Sequence, residues 1–371
     1  GKHTITEKTP IDKIKRYYLA DQLSNNLGNI SKIKAEMLPN IDLFTYSFPC
    51  QDLSRAGNMR GMNKEDHTRS GLLWEIERIL DEGSLDNRIP RVLVMENVPE
   101  VIGTRNKKNF MLWFKKLEQL GYQSYYKILD AKNHGIPQHR ERCFMVSILG
   151  DCYYEFPKKK KLERRLIDML EPTVELKYYL SYKGLKCFMD GADHNGIIRR
   201  KMFQPFHAEK KDVAKTITTR SGSRPCDNFL FAEEILCINS KMSNGKRTSQ
   251  TCRIMDNRGL AVTLTCGYTG YYIVDDRKEC LHETGDEIIG KVIVDGKELG
   301  VLDGKLVRRL TGLEAFRLMG FDDEDVCKIK QAKVSEGQIL KQAGNSIVVE
   351  ILEDLFSNLF EERGDDGTES V

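Results

Sequence analysis

Residues that can do chemistry stand where two predicted strands end. Cys50 follows a proline after the apolar run IDLFTYSF (41–48), and Glu96 lies near the end of the β-rich run RVLVMENV (91–98). Because adjacent parallel strands bring their carboxyl ends to one sheet edge, we expect the thiol and the carboxyl group to share a cleft. A thiolate there would be a nucleophile, and the carboxyl group would serve acid–base chemistry.

Two arginines precede the next apolar run. Arg140 and Arg142 occupy alternate positions in GIPQHRER, which leads into ERCFMVSIL. Alternate residues of an extended segment point to one side, so we expect both guanidinium groups to face the cleft. Taken singly, a buried thiol, a solvated acid and surface ion pairs would explain these residues. Together, a nucleophile, an acid and two anion-binding cations indicate an active site.

The elements that must position these residues alternate along the first part of the chain. Helical spacing of apolar residues follows in GLLWEIERILDE (71–82) and NFMLWFKKLEQLG (109–121), and ERCFMVSIL (141–149) is typical of a strand. Strands that alternate with helices predict an α/β domain with a parallel, doubly wound sheet. We place this domain at residues 1–150.

The remainder of the chain divides into two parts. Residues 151–307 are rich in Gly, Ser and Thr and show little helical period, which predicts a smaller, irregular, β-rich domain. Residues 308–371 return to helical patterns in RRLTGLEAFRLMGF (308–321) and in the segment after GNSI. We expect these C-terminal helices to rejoin the first domain.

Composition limits the classes of function. The chain has 371 residues, 40% of them hydrophobic, and a net charge of only +3, so any nucleic-acid surface must be local. The 10 cysteines and 7 histidines form no metal-ligand spacing, and no metal is predicted. Unpaired cysteines and the lack of a signal peptide or a run of about 18 apolar residues predict a cytoplasmic protein without a membrane span.

The ordered blocks SFPCQDLS, MENV, QHRER, RRLTGLEAFRLMGF and GNSI resemble the DNA cytosine-5 methyltransferases over about residues 26–360. The resemblance implies a Rossmann-like methyltransferase sheet that depends on S-adenosylmethionine, with a smaller, irregular, β-rich target-recognition domain. SFPCQDLS followed by TRSGLLWEIERIL is especially similar to bacterial and mollicute members. Such enzymes serve restriction–modification or phage self-protection.

The resemblance also implies a mechanism. Cys50 would add as a thiolate to C6 of cytosine and so activate C5 for methylation. Glu96 would bind the ring nitrogen N3 and the exocyclic amine as a carboxylic acid, which burial against a base favours. Arg142 would pair with the cytosine carbonyl oxygen, and Arg140 would orient the carboxylate or the thiol-bearing loop. The target base would be flipped out of double-stranded DNA, at a cost of a few kcal/mol.

The cofactor implied is S-adenosylmethionine, and here the sequence departs from the family pattern. The opening stretch GKHTITEKTPIDKIKRYYLADQL has no FxGxG-like turn, and no acidic strand end for the ribose follows it. By resemblance, the cofactor contacts that the sequence retains are Asn29, Ile30, Pro49, Leu72, Asn345 and Ser346. Asn29 stands where most members carry Asp.

The middle region would read the DNA. AKTITTRSGSRPCDNF (214–229) and LAVTLTCGYTGYY (260–272) combine Thr, Gly and Arg, which suit contacts with base edges. Thr263 and Leu264 match a Thr-Leu pair of the family. Gln51 and Ser54 lie in the loop that would close over the flipped base; simple turn hydrogen bonding is their plainer interpretation. The run KKKKLERR would follow phosphates or form a solvated face.

Three explanations of the incomplete cofactor part stay open. The chain is a fragment of a longer enzyme, or one subunit of a split enzyme whose separate partner chain supplies the first strands, or a DNA-binding remnant without activity. A non-enzymatic DNA-binding protein is disfavoured because it has no need of a thiol, an acid and two arginines in these places. A cysteine hydrolase is disfavoured because the histidine nearest Cys50, His67, lies in a polar loop.

Overall fold

The computed structural model describes residues 6, 9–49, 72–190, 203–206, 213–219, 221–224, 227–234, 289–294, 296–302 and 305–360. Its helices are α1 (Ile11–Ser24), α2 (Leu73–Ser84), α3 (Lys107–Gln119), α4 (Tyr182–Met189), α5 (Gly312–Arg317), α6 (Asp323–Gln331), α7 (Glu336–Asn345) and α8 (Val349–Phe360). Its strands are β1 (Leu43–Tyr46), β2 (Val92–Asn97), β3 (Tyr122–Asp130), β4 (Gln138–His139), β5 (Glu141–Leu149), β6 (Ala214–Lys215), β7 (Phe229–Glu234), β8 (Ile289–Val294), β9 (Lys297–Leu302) and β10 (Lys305–Arg309).

The chain forms two compact units. The first contains residues 1–129 and 141–156, and the second contains residues 130–140 and 157–370. The helices after residue 308 therefore group with the second unit. Their predicted return to the first domain stays a prediction, as do the three predicted domain boundaries.

The first unit is built on a four-stranded sheet in the order β1-β2-β5-β3. Strands β1 and β2 are parallel, with Tyr46 opposite Met95, whereas β2 and β5 are antiparallel, with Glu96 opposite Phe144. The prediction of an all-parallel sheet was therefore wrong for β5. The link from β3 to β5 is short, and a parallel connection needs a crossover of a dozen or more residues.

The core of the first unit lies between one face of this sheet and helices α2 and α3. Phe110, Trp113 and Leu117 of α3 recur at helical spacing, and all three are buried. The Trp113 ring stands edge-on to Tyr46, and its Nε1 donates a hydrogen bond of 2.9 Å to the Tyr46 hydroxyl. Burial raises the pKa of the Tyr46 phenol. This packing fixes the end of β1, directly before Ser47.

Helix α1 differs from α2 and α3 because none of its residues is buried. Its apolar side chains include Tyr18, Leu19 and Leu23, which are all exposed. Sequence reasoning placed no helix here because the stretch is polar. The αL conformation of Asn25 ends the helix.

The second unit contains the irregular β-rich region. Its main sheet has the order β7-β10-β9-β8 with antiparallel pairing, and a small parallel sheet pairs β4 with β6. Arg308 at the end of β10 forms a double hydrogen bond, at 2.9 Å each, with the buried Glu314 of α5. Glu314 also completes a capping box with Thr311, which explains why the helical pattern predicted from residue 308 starts only at Gly312.

The remaining element predictions are largely confirmed. Strands β1, β2 and β5 and helices α2, α3 and α8 lie where hydrophobic periodicity placed them. Strand β3 was missed because its sequence, YQSYYKILD, is mostly polar and aromatic. Among the described residues, no helix is long and apolar enough to span a membrane.

Candidate active site

The structure brings two of the four predicted catalytic residues into direct contact. Glu96, near the end of β2, forms an ion pair with Arg142, whose Nε lies 3.0 Å from Glu96 Oε1. Because β5 is antiparallel to β2, the first residues of β5 lie beside the last residues of β2. The side chains of Glu96 and Arg142 are only 13% and 18% exposed, so solvent screens their interaction less than it screens a surface pair.

Two further residues of this region were missed by sequence reasoning. The Ser47 hydroxyl donates to Glu96 Oε2 at 3.0 Å. Asn97 is buried, and its Nδ2 donates to the carbonyl of Phe48 at 3.0 Å. Both bonds join the end of β2 to Ser47 and Phe48, the residues that directly follow β1. The position of Ser47 beside Glu96 follows from the register in which β1 pairs with β2. A correct alignment of these two strands would therefore have identified Ser47.

The predicted nucleophile lies next to this region in the sequence. Cys50, Gln51 and Ser54 lie outside the described residues, which stop at Pro49 before the gap. A second thiol, Cys143, is buried on β5 opposite Asn97, and burial raises its pKa to about 12, with a smaller contribution from the charge of Glu96. Cys143 is therefore a core residue rather than an alternative nucleophile.

Arg140 has different surroundings, within the second unit. It is 2% exposed, and its guanidinium donates to the carbonyl oxygens of Ile217 at 2.8 Å, Gly344 at 3.1 Å and Ser346 at 2.8 Å. The structure thus joins Arg140 to the end of α7, where Asn345 and the C-cap residue Ser346 were predicted to contact the cofactor. The catalytic role expected for Arg140 stays a prediction.

The end of α7 also touches the segment that follows β6. A Cβ atom on Gly344 would lie 2.4 Å from the backbone of Thr218 and Thr219, so only glycine fits. Gln138 Oε1 accepts from Ile217 N at 2.8 Å, which ties the same segment to β4. The first residues of the predicted DNA-reading stretch are therefore fixed in the second unit. Thr263 and Leu264 lie outside the described residues.

The other predicted cofactor residues lie in the first unit. Ile30 and Leu72 are partly buried and pack against the same core cluster as Phe48. Arg78 of α2 donates to the carbonyls of Ile30 at 3.1 Å and Ile33 at 2.7 Å, which fastens this turn to the helix. Asn29 is exposed, and its Oδ1 caps the turn by accepting from Ser31 N. Two partly buried apolar side chains and an exposed carboxamide are the types of group that would hold an adenine-like ring and contact its polar edge.

The basic run has structural partners. Lys160 pairs with Asp354, and Arg164 pairs with Glu350 at 2.6 Å, one turn apart on α8. Asp354 also lies 2.7 Å from Nδ1 of the buried His134. At least part of the run therefore holds α8 in place, and its expected contact with phosphates stays a prediction.

A comparison with protein families agrees with this geometry. The model of the C-5 cytosine-specific DNA methylase family matches residues 4–361, which is nearly the whole chain. The chain belongs to this family.

Relatives of this methylase chain carry matching names. It is 32% identical over 349 residues to the type II methyltransferase M2.ScrFI of Lactococcus lactis subsp. cremoris, covering 94% of this chain and 74% of the relative. It is 29% identical over 352 residues to the orphan methyltransferase M.SssI of Spiroplasma monobiae, with the same coverages of 94% and 74%. The predicted enzyme class and the link to type II restriction–modification enzymes are confirmed.

Solved structures support the fold of the methylase. The Entamoeba histolytica methyltransferase EhMeth matches with a TM-score of 0.58 at 13% identity, covering 92% of this chain and 85% of that one. The S. pombe Dnmt2 methyltransferase matches with a TM-score of 0.54 at 18% identity, covering 90% and 82%. The predicted methyltransferase fold class is confirmed.

Proposed function

We propose that this chain transfers a methyl group to C5 of a flipped-out cytosine in double-stranded DNA. The observation that carries the proposal is the Glu96–Arg142 ion pair, which lies at the carboxyl end of β2 beside Ser47, a residue close to Cys50 in the sequence. An acid and a cation held together there suit a neutral heterocycle that gains charge during reaction. Family membership supplies the reaction class.

Each residue has one task in this proposal. The Cys50 thiolate adds to C6, which makes C5 a carbon nucleophile. Glu96 gives a proton to N3 as charge develops on the ring, and becomes a carboxylate that Arg142 stabilises. Arg142 Nε pairs with Glu96, and its Nη1 donates to the carbonyl of Glu141; in this proposal its Nη2 would donate to the cytosine carbonyl oxygen. After transfer, loss of the C5 proton and elimination of Cys50 release 5-methylcytosine.

The methyl donor in this proposal is S-adenosylmethionine, which supplies an electrophilic methyl group when bound. Ile30 and Leu72, with Pro49, would hold the adenine, and the Asn29 carboxamide would contact its edge. Asn345 and Ser346 would close over the cofactor. The hydrogen bond from Arg78 to the carbonyl of Ile30 supports this assignment. Because Ile30 is already held in place, it would lose little conformational entropy when the cofactor binds.

DNA recognition is assigned to residues 151–307, with residues 1–150 and 308–371 forming the catalytic part. Thr263 and Leu264 would contact base edges, and Gln51 and Ser54 would face the flipped cytosine. The backbone of Ile217 is hydrogen-bonded to Gln138 and Arg140. These bonds support the assignment because they hold the start of the recognition segment in place. We expect the protein to act in the cytoplasm of a bacterial or phage-infected cell.

The test is transfer of a labelled methyl group from S-adenosylmethionine to mixed-sequence DNA, followed by identification of the product base. Cys50→Ser should abolish formation of 5-methylcytosine and leave DNA binding intact. Cys187→Ser is the matched control, since Cys187 is exposed on α4 in the second unit and should not affect transfer. Transfer that survives in Cys50→Ser would contradict the mechanism.

A second arm addresses the glycine-rich motif that the sequence lacks. If the chain alone transfers no methyl group, a polypeptide carrying the strand–turn–helix of the family is added. Rescue that depends on Cys50 supports the proposal and the fragment or split-subunit explanations. If no methyl transfer occurs even with this polypeptide, although DNA binding is intact, the DNA-binding remnant would be favoured and the proposal overturned.

A further inference from the structure

The carboxyl group of Glu96 is held by a residue to which neither the motifs nor the mechanism assigns a role. Its Oε1 pairs with Arg142 Nε, and its Oε2 accepts a hydrogen bond of 3.0 Å from Ser47 Oγ. One carboxyl oxygen therefore lies in an ion pair, and the other accepts a hydrogen bond. The two donors come from different strands, β5 and the end of β1, so they approach the group from separate directions.

A glutamate carboxyl group needs two such contacts, one at each oxygen, to be held in a single orientation. The last side-chain torsion of Glu is broad and nearly two-fold, so a single ion pair leaves the carboxyl plane free to turn. A serine on the neighbouring strand is short and close to its backbone, and its position is fixed by the register of β1 with β2. The Ser47 hydroxyl thus limits rotation about that torsion.

We infer that Ser47 is a positioning residue for Glu96, which orients its carboxyl group toward the target base. This inference rests on the proposed function. When Glu96 gives its proton from Oε2 to ring N3, a carboxylate remains, and the Ser47 O–H and the Arg142 N–H stabilise its two oxygens. No other reactant is needed for this step, since the proton moves from oxygen to nitrogen and returns from N3 to the Glu96 carboxylate when the C5 proton is lost to solvent and Cys50 is eliminated.

Substitutions at Ser47 separate this role from simple packing. Ser47→Ala removes the hydroxyl, whereas Ser47→Thr retains it. Ser47 is exposed, so neither change should disturb the core. Thr45→Ala is the matched control, because Thr45 is an exposed residue two positions earlier on the same side of β1.

The first readout does not depend on methyl transfer. In protein labelled with ¹³C at glutamate carboxyl carbons, the Glu96 signal is identified by its loss in Glu96→Gln. In Ser47→Ala this signal should shift by more than its linewidth, and in Ser47→Thr and Thr45→Ala it should stay in place. An unmoved signal in Ser47→Ala would overturn the inference.

The second readout is kinetic. Loss of one hydrogen bond to a charged group should lower kcat by about tenfold in Ser47→Ala, with the KM for DNA within about twofold, and Ser47→Thr should restore kcat. A shifted carboxyl signal with unchanged kcat would overturn the positioning role. If the wild-type protein transfers no methyl group even with the added strand–turn–helix polypeptide, the proposed function fails, and the carboxyl signal alone decides whether Ser47 positions Glu96.

Discussion

Arg142 and Arg140 stand two positions apart in the chain, and their side chains contact different kinds of group. Arg142 pairs with the carboxylate of Glu96 in the first unit, and both side chains keep some exposure. Arg140 is 2% exposed in the second unit and binds three backbone carbonyl oxygens. One guanidinium neutralises a side chain near the proposed site, and the other holds chain segments together.

This difference shows that a motif can combine two physical roles. An Arg–carboxylate pair that keeps some solvent exposure can still bind a ligand atom. A buried Arg whose donors bind main-chain carbonyls instead acts as a cross-link between chain segments. The cross-link joins residue 217 to residues 344–346, which are far apart in sequence. We therefore expect changes at Arg140 to affect stability first and changes at Arg142 to affect chemistry first.

The largest effect is expected for Arg140→Ala. It leaves three carbonyl oxygens without their charged donor in a buried place, so the free energy of unfolding should fall by about 3–5 kcal/mol. Urea denaturation followed by far-UV circular dichroism measures it. Arg140→Lys is the control that keeps the charge without the planar fork, and it should lose less. A loss below about 1 kcal/mol in Arg140→Ala would remove the distinction between the two arginines.

Arg142→Gln should have the opposite profile. Removal of a preorganised cation beside the developing charge is expected to lower kcat for methyl transfer by about 10²–10³. Its free energy of unfolding should fall by no more than about 1–2 kcal/mol, because the pair with Glu96 is still in part accessible to solvent. Kinetics and urea denaturation on the same preparation make the comparison. If Arg142→Gln were destabilised but transferred methyl groups at the wild-type rate, Arg142 would have a structural role and not the chemical role assigned to it.

Sequence reasoning succeeded where periodicity and local order decide the outcome. The apolar spacing in α2 and α3, and the β-rich run of β2, were sufficient to place those elements, and strand ends placed Glu96 near the Pro-Cys turn. The ion pair between Glu96 and Arg142 was not predicted, because the resemblance assigned the orientation of the carboxylate to Arg140. It depends on the antiparallel direction of β5, which the sequence pattern did not reveal.

The failures have a common physical cause, which is dependence on contacts between distant segments. The surroundings of Arg140 depend on Ile217 and Ser346, and no local pattern around QHRER indicates them. The role of Ser47 depends on the register between β1 and β2. Helix α1 was missed because it buries no apolar face that periodicity could detect.

The most direct test of the central claim is methyl transfer by Glu96→Gln beside the wild-type protein, under the conditions in which the wild type is active. Glutamine keeps the shape of the side chain but has no carboxyl proton to give, so the rate of 5-methylcytosine formation should fall at least about 10²-fold while the fold and DNA binding persist. Methylation by Glu96→Gln at the wild-type rate would contradict the account.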